Sequence, residues 1–455
     1  MIRPESLVVD VDLLARHDRP GPRYTSYPTA AEFNGQVGPE RYRAALIKAA
    51  SRSTEPLALY VHLPFCAARC SFCACHVVVS SRPELVEAYL RRLVAEAELV
   101  ADVLGGGRPV VQYHWGGGTP THHSPATLAW IHRELTSRFD LAEDAELAVE
   151  VDPRVTTAAH LEMLADSGFN RLSLGVQDLD PDVQAMIGRN QTQEQTISLY
   201  RQARRLGFSS INFDLVYGLP GQDEASLGRA LDTVIDLSPD RLAVYSYAHV
   251  PWMRPHQRRI DTDLLPDTTA KFALLAQVVT SLTGAGYRQV GIDHFALPDD
   301  ELITALDSGT LTRNFMGYTT RSGTEVVALG TSGISDVSGL YAQGHRRLAS
   351  YYQMVDSGEL PIERGYVLDQ DDLRRRRVIT EIMCNGAVDL GENGANRFAE
   401  ELDRLEPLVG EGLATIDGTR IEATELGQLF LRRIALVFDT HSRRRPKTGM
   451  FSRTV

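Results

Sequence analysis

Residues 57–121 read LALYVHLPFCAARCSFCACHVVVSSRPELVEAYLRRLVAEAELVADVLGGGRPVVQYHWGGGTPT. Its two ends, LALYVHL (57–63) and VVQYHW (110–115), are apolar, partly β-branched runs of strand length. Between them Leu85, Val86, Tyr89, Leu90, Leu93, Val94 and Ala97 recur at helical spacing, opened by Pro83 and closed by Gly105–Gly107. Strand, helix, strand with so long a crossover joins parallel neighbours. The alternation continues through ELAVEVD (146–152), RLSLGVQ (171–177), INFDLVYG (211–218) and RLAVYSYA (241–248), with a second clear helix carrying Leu227, Leu231, Val234 and Ile235. Strands this continuously apolar are buried on both faces, and six of them in succession joined by right-handed crossovers curl a sheet on itself. The expected fold is α/β, a partial (β/α)6 barrel of parallel strands. HWGGGTPT, EVDPR, GVQD, FDLVYGLPGQ and YSYAHVP follow the strands, so they are expected to converge on one site at the C-terminal strand edge, where such folds bind ligands.

Outward from this core the composition is ordinary: 455 residues, 43% hydrophobic and 23% charged, which speaks against disorder, collagen or a disulfide scaffold. Forty-seven Lys plus Arg against 59 Asp plus Glu give a net charge of −12, a field that repels nucleic acid and anionic membranes. No apolar run approaches the ~18 residues of a membrane span, and MIRPESLVVDVDLLARHDRPG places acids where a signal or transit peptide would not. The expected compartment is the cytoplasm. An N-terminal arm, 1–52, holds GPRYTSYPTA (21–30). The C-terminal part, from about 361, reads as helices from Asp371 and Asn396, a hairpin GLATIDGTRIEATELG (412–427) and a last helix ending near Phe438. That order is winged-helix-like. The acidic total favours a packing or lid role, with Arg374–Arg377 and Arg443–Lys447 as solvated faces rather than a nucleic-acid patch.

Four of five cysteines crowd into CAARCSFCAC (66–75), and Cys384 stands alone. In a reducing compartment such crowding points to metal or redox chemistry. The three- and two-residue gaps between Cys66, Cys70 and Cys73 let one loop present three thiolates to an iron–sulfur cluster, leaving one iron open. A closed zinc site using all four thiols is the alternative, although it needs Cys73 and Cys75, one residue apart, to ligate together. Gly116–Gly118 lack the GxGxxG spacing of a dinucleotide loop and instead open the backbone to close approach by a ligand.

CxxxCxxC followed by GGGTP resembles the radical S-adenosylmethionine enzymes. YVHLPFC, GGGTPT, EVDP, GVQD and YGLPGQ, with the arm motif PRYTSYPTA (22–30), the additional Cys75, DHFA (293–296), RNFMGYTT (313–320) and FSR (451–453), are similar to the oxygen-independent coproporphyrinogen III oxidases over essentially the full length. The resemblance implies one 4Fe-4S cluster on Cys66, Cys70 and Cys73, and a first S-adenosylmethionine near Tyr60, Gly117, Glu150 and Ile334. It implies a second near Phe72, Gly118, Thr119, Gln177, Arg189, Asp214 and Ala248. Cys75 matches a family cysteine that is not a cluster ligand. Ala74 stands where the family usually has Gly, which questions the local turn if it needs φ > 0. The implied reaction turns two of the four propionates of coproporphyrinogen III into vinyl groups, giving protoporphyrinogen IX for haem biosynthesis. An electron donor such as flavodoxin or ferredoxin would supply the cluster, and the chain is expected to be a monomer.

Arg23 and Arg313 are the expected propionate partners, and Tyr24 and Tyr27 would line the porphyrinogen; Cys75, Tyr27, Arg23 and Arg313 form the expected catalytic set. The expected organisation is an arm (1–52) covering the active site, a radical S-adenosylmethionine barrel (53–290), an extension with active-site loops (291–360) and a helical C-terminal domain (361–455). Gly118 is expected to face the cofactor, and a chain starting near Glu55 to fold without the arm. A haem chaperone or a haem-opening radical methyltransferase are the rival relatives; the chaperones typically lack both the arm motif and the additional cysteine.

Overall fold

The structure, a computed structural model, describes residues 11–444; the FSR segment and Arg445 to Lys447 of the second basic run lie outside the described residues. It is an α/β fold built on one large, mostly parallel sheet. Six strands neighbour one another in chain order and in parallel: β1 (Leu57–Leu63), β2 (Val110–Gly117), β3 (Leu141–Val151), β4 (Arg171–Gln177), β5 (Ser210–Tyr217) and β6 (Arg241–Ser246). The sheet then goes on in both directions. Past β6 lies an antiparallel hairpin, β7 (Arg288–Val290) and β8 (His294–Ala296), with β8 against β6. At the other edge β9 (Glu325–Leu329) runs parallel to β1, and β10 (Ile334–Val337), β11 (Leu340–Gly344) and β12 (Ile362–Val367) follow antiparallel, making twelve strands. Residues 291–360 are therefore not an appendage to the sheet but part of it, and the expected boundary at 290/291 falls inside the β7–β8 hairpin.

The crossovers form as their sequences direct. Helix α1 (Pro39–Ala50) belongs to the arm; α2 (Pro83–Leu104) has Pro in its first turn and ends at Gly105 with φ +72°, a left-handed value that glycine adopts without strain. Helix α3 (Glu224–Leu237) is capped by Asp223, whose carboxylate accepts the Ser226 N–H at 2.7 Å. These helices bury Leu90, Leu93, Leu227 and Leu231 against Leu59, Val61, Trp115, Val149 and Phe213 of the sheet.

The arm is not outside this core. Tyr42, Leu46 and Ala49 of α1 belong to the main apolar cluster, and the Tyr42 hydroxyl meets Ser335 at 2.9 Å. Buried Arg108 donates to the carbonyls of Ala49, Glu55 and Pro56 and pairs with Glu325 at 2.7 Å, fastening the end of the arm to β9.

The C-terminal segment has a core of its own, formed by helices Gln370–Asn385, Ala399–Gly410 and Leu431–Val437 around a three-stranded sheet of residues 387–389, 414–417 and 420–423. Its first basic run faces inward or along the helix: Arg375 pairs with Asp371 and Glu401, Arg376 with Asp336 and Arg377 with Glu381. No helix among the described residues is long and apolar enough to cross a membrane.

Candidate active site

The loop after β1 is anchored before it reaches its cysteines. Phe65 is fully buried edge-on against Tyr89 (5.5 Å) and His123 (5.8 Å), and residues 65–66 pair in parallel with 78–79. This holds Cys66, Cys70 and Cys73 over the C-terminal strand edge. Two of the sulfurs meet polar neighbours, Thr119 Oγ1 lying 3.4 Å from Cys66 and Arg154 and Arg189 donating to Cys70 at 3.5 and 3.7 Å, while the adjacent Cys75 holds the Cys73 thiol below the ordinary range. Burial pushes the Cys66 thiol up to about 11. All five cysteines are free thiols. Among the described residues no group of three or more His, Cys, Asp or Glu is set to hold a single metal ion. Ala74 is not among the non-glycine residues with positive φ, so the turn there accommodates alanine.

These thiols line a cavity of about 330 Å³. The same cavity is lined by Phe72, Cys75, Gly117, Gly118, Thr119, Glu150, Gln177, Arg189, Asp214 and Ala248, and by Arg23 from the arm. At the end of β3, Glu150 is partly exposed; desolvation alone would raise its pKa, but the His114 ring (3.4 Å) and the Gly117 N–H (3.2 Å) outweigh that and hold it below the usual range. A side chain at Gly116 would sit 2.7 Å from the same carboxylate, so glycine there makes its room. On β5, Asp214 accepts from Ser173 (3.1 Å) and Asn212 (2.9 Å), yet burial and the facing Glu150 push it up to about 7. Gln177 ends β4 at φ +69°, an uncommon value for a non-glycine residue and typical of functional sites.

Five expected site residues do not line this cavity. Tyr60 lies just behind it: His62 Nε2 must donate to the His76 carbonyl (3.1 Å), so its Nδ1 accepts the Tyr60 hydroxyl (3.0 Å). Ile334 packs with the Phe33, Tyr341 and Leu368 cluster. Arg313 lies over the Tyr318 ring at 4.8 Å and donates to the Arg23 carbonyl. Tyr27 is buried in the C-terminal core, its hydroxyl 3.1 Å from Thr440 Oγ1 and its carbonyl accepting from Tyr341; Tyr24 is buried too and donates to Asp439 at 2.9 Å. Both tyrosines join the arm to the C-terminal segment instead of lining a substrate face. Gly118 also differs from expectation. A Cβ there would point at backbone, 2.4 Å from the Pro64 carbonyl oxygen, not into the cavity.

Residues 60–234 match the Radical SAM superfamily. The chain is 41% identical over 454 residues to the oxygen-independent coproporphyrinogen III oxidase of Escherichia coli (strain K12), covering 98% of each chain. The chain belongs to the oxygen-independent coproporphyrinogen III oxidase family. The enzyme of that name from Pseudomonas aeruginosa is 42% identical over 441 residues, 95% of this chain and 96% of that one. A solved structure of the Escherichia coli coproporphyrinogen III oxidase, described as a radical SAM enzyme, superposes with TM-score 0.89 at 40% identity, covering 95% of this chain and 99% of the other.

Further residues at the site were not singled out by the sequence. Asp152 binds Arg154 through two N–H groups and lies 3.2 Å from Arg189, placing both guanidinium groups beside Cys70. Fully buried Gln257 donates to the Phe72 and Ala248 carbonyls (3.0 and 3.1 Å) and accepts the Val250 N–H, tying the loop after β6 to the cysteine loop. EVDPR contained the first pair; nothing in HVPWMRPHQRR marked Gln257.

Asp214 gives a stability test. The folded protein keeps its proton up to about pH 7, whereas an unfolded aspartate loses it near ~4. Between these values the folded state binds more protons, so stability falls as pH rises through the window. The gap is worth roughly 4 kcal/mol at ~1.36 per unit, cut to about 2 by water in the cavity. Asp214→Asn should therefore stabilise the iron-free protein by about 2 kcal/mol at pH 8 and leave it unchanged at pH 4. Urea melts at the two pH values measure it; equal effects at both would show that the side chain is solvated.

Proposed function

We propose that the cavity beneath Cys66, Cys70 and Cys73 is where the family's chemistry takes place and that the side chains around it divide the labour as follows. The activity is oxygen-independent coproporphyrinogen III oxidation in haem biosynthesis, by radical S-adenosylmethionine chemistry. The donor set fits its cofactors: three free soft thiols on one loop for a 4Fe-4S cluster, beside two cavity-lining carboxylates able to accept from an ammonium and ribose hydroxyls. When bound, the cluster and S-adenosylmethionine supply one-electron cleavage chemistry that removes a hydrogen atom from the substrate's propionate.

The chain's own residues hold and shield. Arg154 and Arg189 place guanidinium N–H groups on Cys70, neutralising thiolate charge where a cluster would add more. Glu150, kept ionised, and Asp214, poised near neutrality, offer different acceptors on the two sides of the cavity, in keeping with two S-adenosylmethionine molecules. Gly117, at φ +121°, leaves its N–H aimed at Glu150 and lets the backbone form the cavity wall. Phe72, Tyr245 and Tyr247 supply apolar walls that exclude water and stray hydrogen donors.

Arg23 is the arm's contribution to substrate binding. Its guanidinium pairs with buried Asp293 at 2.9 Å and overlies the Tyr245 ring, with Arg313 close behind. Arg23, held by Asp293 and backed by Arg313, thus presents a guanidinium at the cavity wall that suits a propionate. The six parallel strands form the partial barrel, with the described residues from 361 on as a packing domain against the arm.

The observation that carries this reading is the convergence of the three thiols, Glu150, Asp214 and Arg189 on one cavity. Its test is anaerobic reconstitution followed by coproporphyrinogen III turnover. Cys66→Ser, Cys70→Ser and Cys73→Ser should each lose the iron chromophore and all turnover, and Cys75→Ser should keep most iron but lose turnover. Cys384→Ala, buried far off among Val290, Leu302 and Ile303, should keep both. Tightly bound zinc without sulfide would overturn it.

A further inference from the structure

The segment His249–Arg259 folds over the outside of the cysteine loop, and its outward face serves none of the roles above. Inward, His256 Nε2 donates to the Cys73 carbonyl at 2.7 Å, beside the Gln257 bonds already described. Outward, Trp252 and Met253 are 58% and 45% exposed, and Arg258 and Arg259 are exposed beside them. Arg69, Arg254 and Arg259 all act on His256, and Arg69 and Arg254 also on His76, so these guanidinium groups gather beside two histidines at the cysteine loop. Arg69, Arg254, Arg258 and Arg259 form no ion pair with a carboxylate among the described residues, in a chain whose net charge is −12. Unpaired cations gathered on one face of an acidic protein, around two large exposed apolar side chains, have the composition of a transient protein–protein interface.

The reaction says which partner such a face would serve. Each cleavage of S-adenosylmethionine consumes one electron that the chain cannot itself provide, and a protein donor can approach only the outer surface. Here that surface lies one hydrogen bond from the backbone of a cluster ligand. We propose that Trp252, Met253, Arg254, Arg258 and Arg259 form the docking face for an acidic, low-potential one-electron carrier protein. One electron passes from the reduced carrier to the oxidised cluster, the carrier being oxidised by one electron and the cluster reduced by one, with no atom transferred. This rests on the reading that Cys66, Cys70 and Cys73 hold the cluster.

The test uses the full-length, anaerobically reconstituted enzyme with Arg258→Glu/Arg259→Glu and, as a milder step, Arg258→Gln/Arg259→Gln. Iron and sulfide content come first: a sulfide-free wild type would overturn the cluster reading itself, and the docking proposal with it. S-adenosylmethionine cleavage is then driven either by photoreduced bacterial flavodoxin or by reduced methyl viologen, a small cation that needs no docking face. With flavodoxin at low salt, the KM for the carrier should rise about tenfold or more in the Glu variant and less in the Gln variant, and the wild-type loss of rate with added salt should largely vanish. With methyl viologen, the rate and the KM for coproporphyrinogen III should stay at wild-type values. An unchanged KM for flavodoxin overturns the proposal. So does an equal loss with both reductants, which would make the arginines structural, or a raised KM for coproporphyrinogen III, which would make the face a steering surface for the substrate's carboxylates.

Discussion

Gly118→Val is expected to cost the protein most of its iron. Gly118, just past β2, lies against the chain that leads into Cys66: its N–H donates to the Leu63 carbonyl at 2.9 Å, and Thr119 N–H to the Phe65 carbonyl at 3.0 Å. A Cβ at 118 would stand 2.4 Å from Pro64 O, 2.5 Å from Pro64 C and 2.8 Å from Phe65 O. These are backbone atoms held by the buried Phe65 ring, so they cannot move aside as a flexible side chain would. Valine adds two further methyl groups to that contact, and overpacking of this kind costs about 1–3 kcal/mol even where the surroundings adapt. Movement of residues 63–66 carries Cys66 with it, so iron and sulfide content should fall by about tenfold, with S-adenosylmethionine cleavage lost in proportion. Gly106→Ala is the control: at φ +74° it is strained, but nothing lies within 4 Å of the added carbon, so it should cost about 1 kcal/mol and keep its iron. Full iron in Gly118→Val with only cofactor affinity lost would show that the side chain faces the cavity after all.

The contrast between residue 118 and its neighbours shows how far this sequence could be read. GGGTP said that backbone comes close to something, because three glycines have few other uses at a strand end. It could not say that Gly116 makes room for Glu150, Gly117 for His62 and Gly118 for Pro64, since each depends on a strand pairing made across many residues. Local signals did place the six parallel strands and their loops, because apolar runs and helical spacing are properties of neighbouring residues. What lay beyond reach was non-local. β9 joins β1 with Leu57 opposite Glu325, and no local pattern in EVVALG marks it as parallel to a strand so distant. Likewise PRYTSYPTA was visibly aromatic, but the sequence could not show that Tyr27 meets Thr440 rather than a ligand, whereas Arg23, four residues earlier, reaches the cavity. The arm thus belongs to both the fold and the site.

That double role sets the outcome of removing it. A chain beginning at Glu55 is expected not to yield soluble, folded protein, contrary to what an arm outside the βα pattern leads one to expect. The deletion strips Tyr42, Leu46 and Ala49 from the main core, and burying a side chain of the first two sizes contributes roughly 1.5–3 kcal/mol each. It exposes the apolar residues they cover and takes from Arg108 the Ala49 carbonyl. It also removes Tyr24 and Tyr27 from the C-terminal core and takes from the buried Arg432 guanidinium the Gly21 and Pro22 carbonyls it donates to. Against a total stability of about 5–15 kcal/mol these losses are decisive. The arm's contribution to substrate binding must therefore be read from a point change that spares the packing. Arg23→Ala keeps Tyr24 and Tyr27 in place and should leave iron content and substrate-free S-adenosylmethionine cleavage near wild type, while raising the KM for coproporphyrinogen III by about tenfold, as loss of one charge-assisted contact would. Circular dichroism and size exclusion of the truncated protein, beside the kinetics of Arg23→Ala, separate the two roles. A soluble, cooperatively melting Glu55 start would mean that α1 is dispensable to the core, and an unchanged KM in Arg23→Ala would mean that the Arg23–Asp293 pair serves the fold alone.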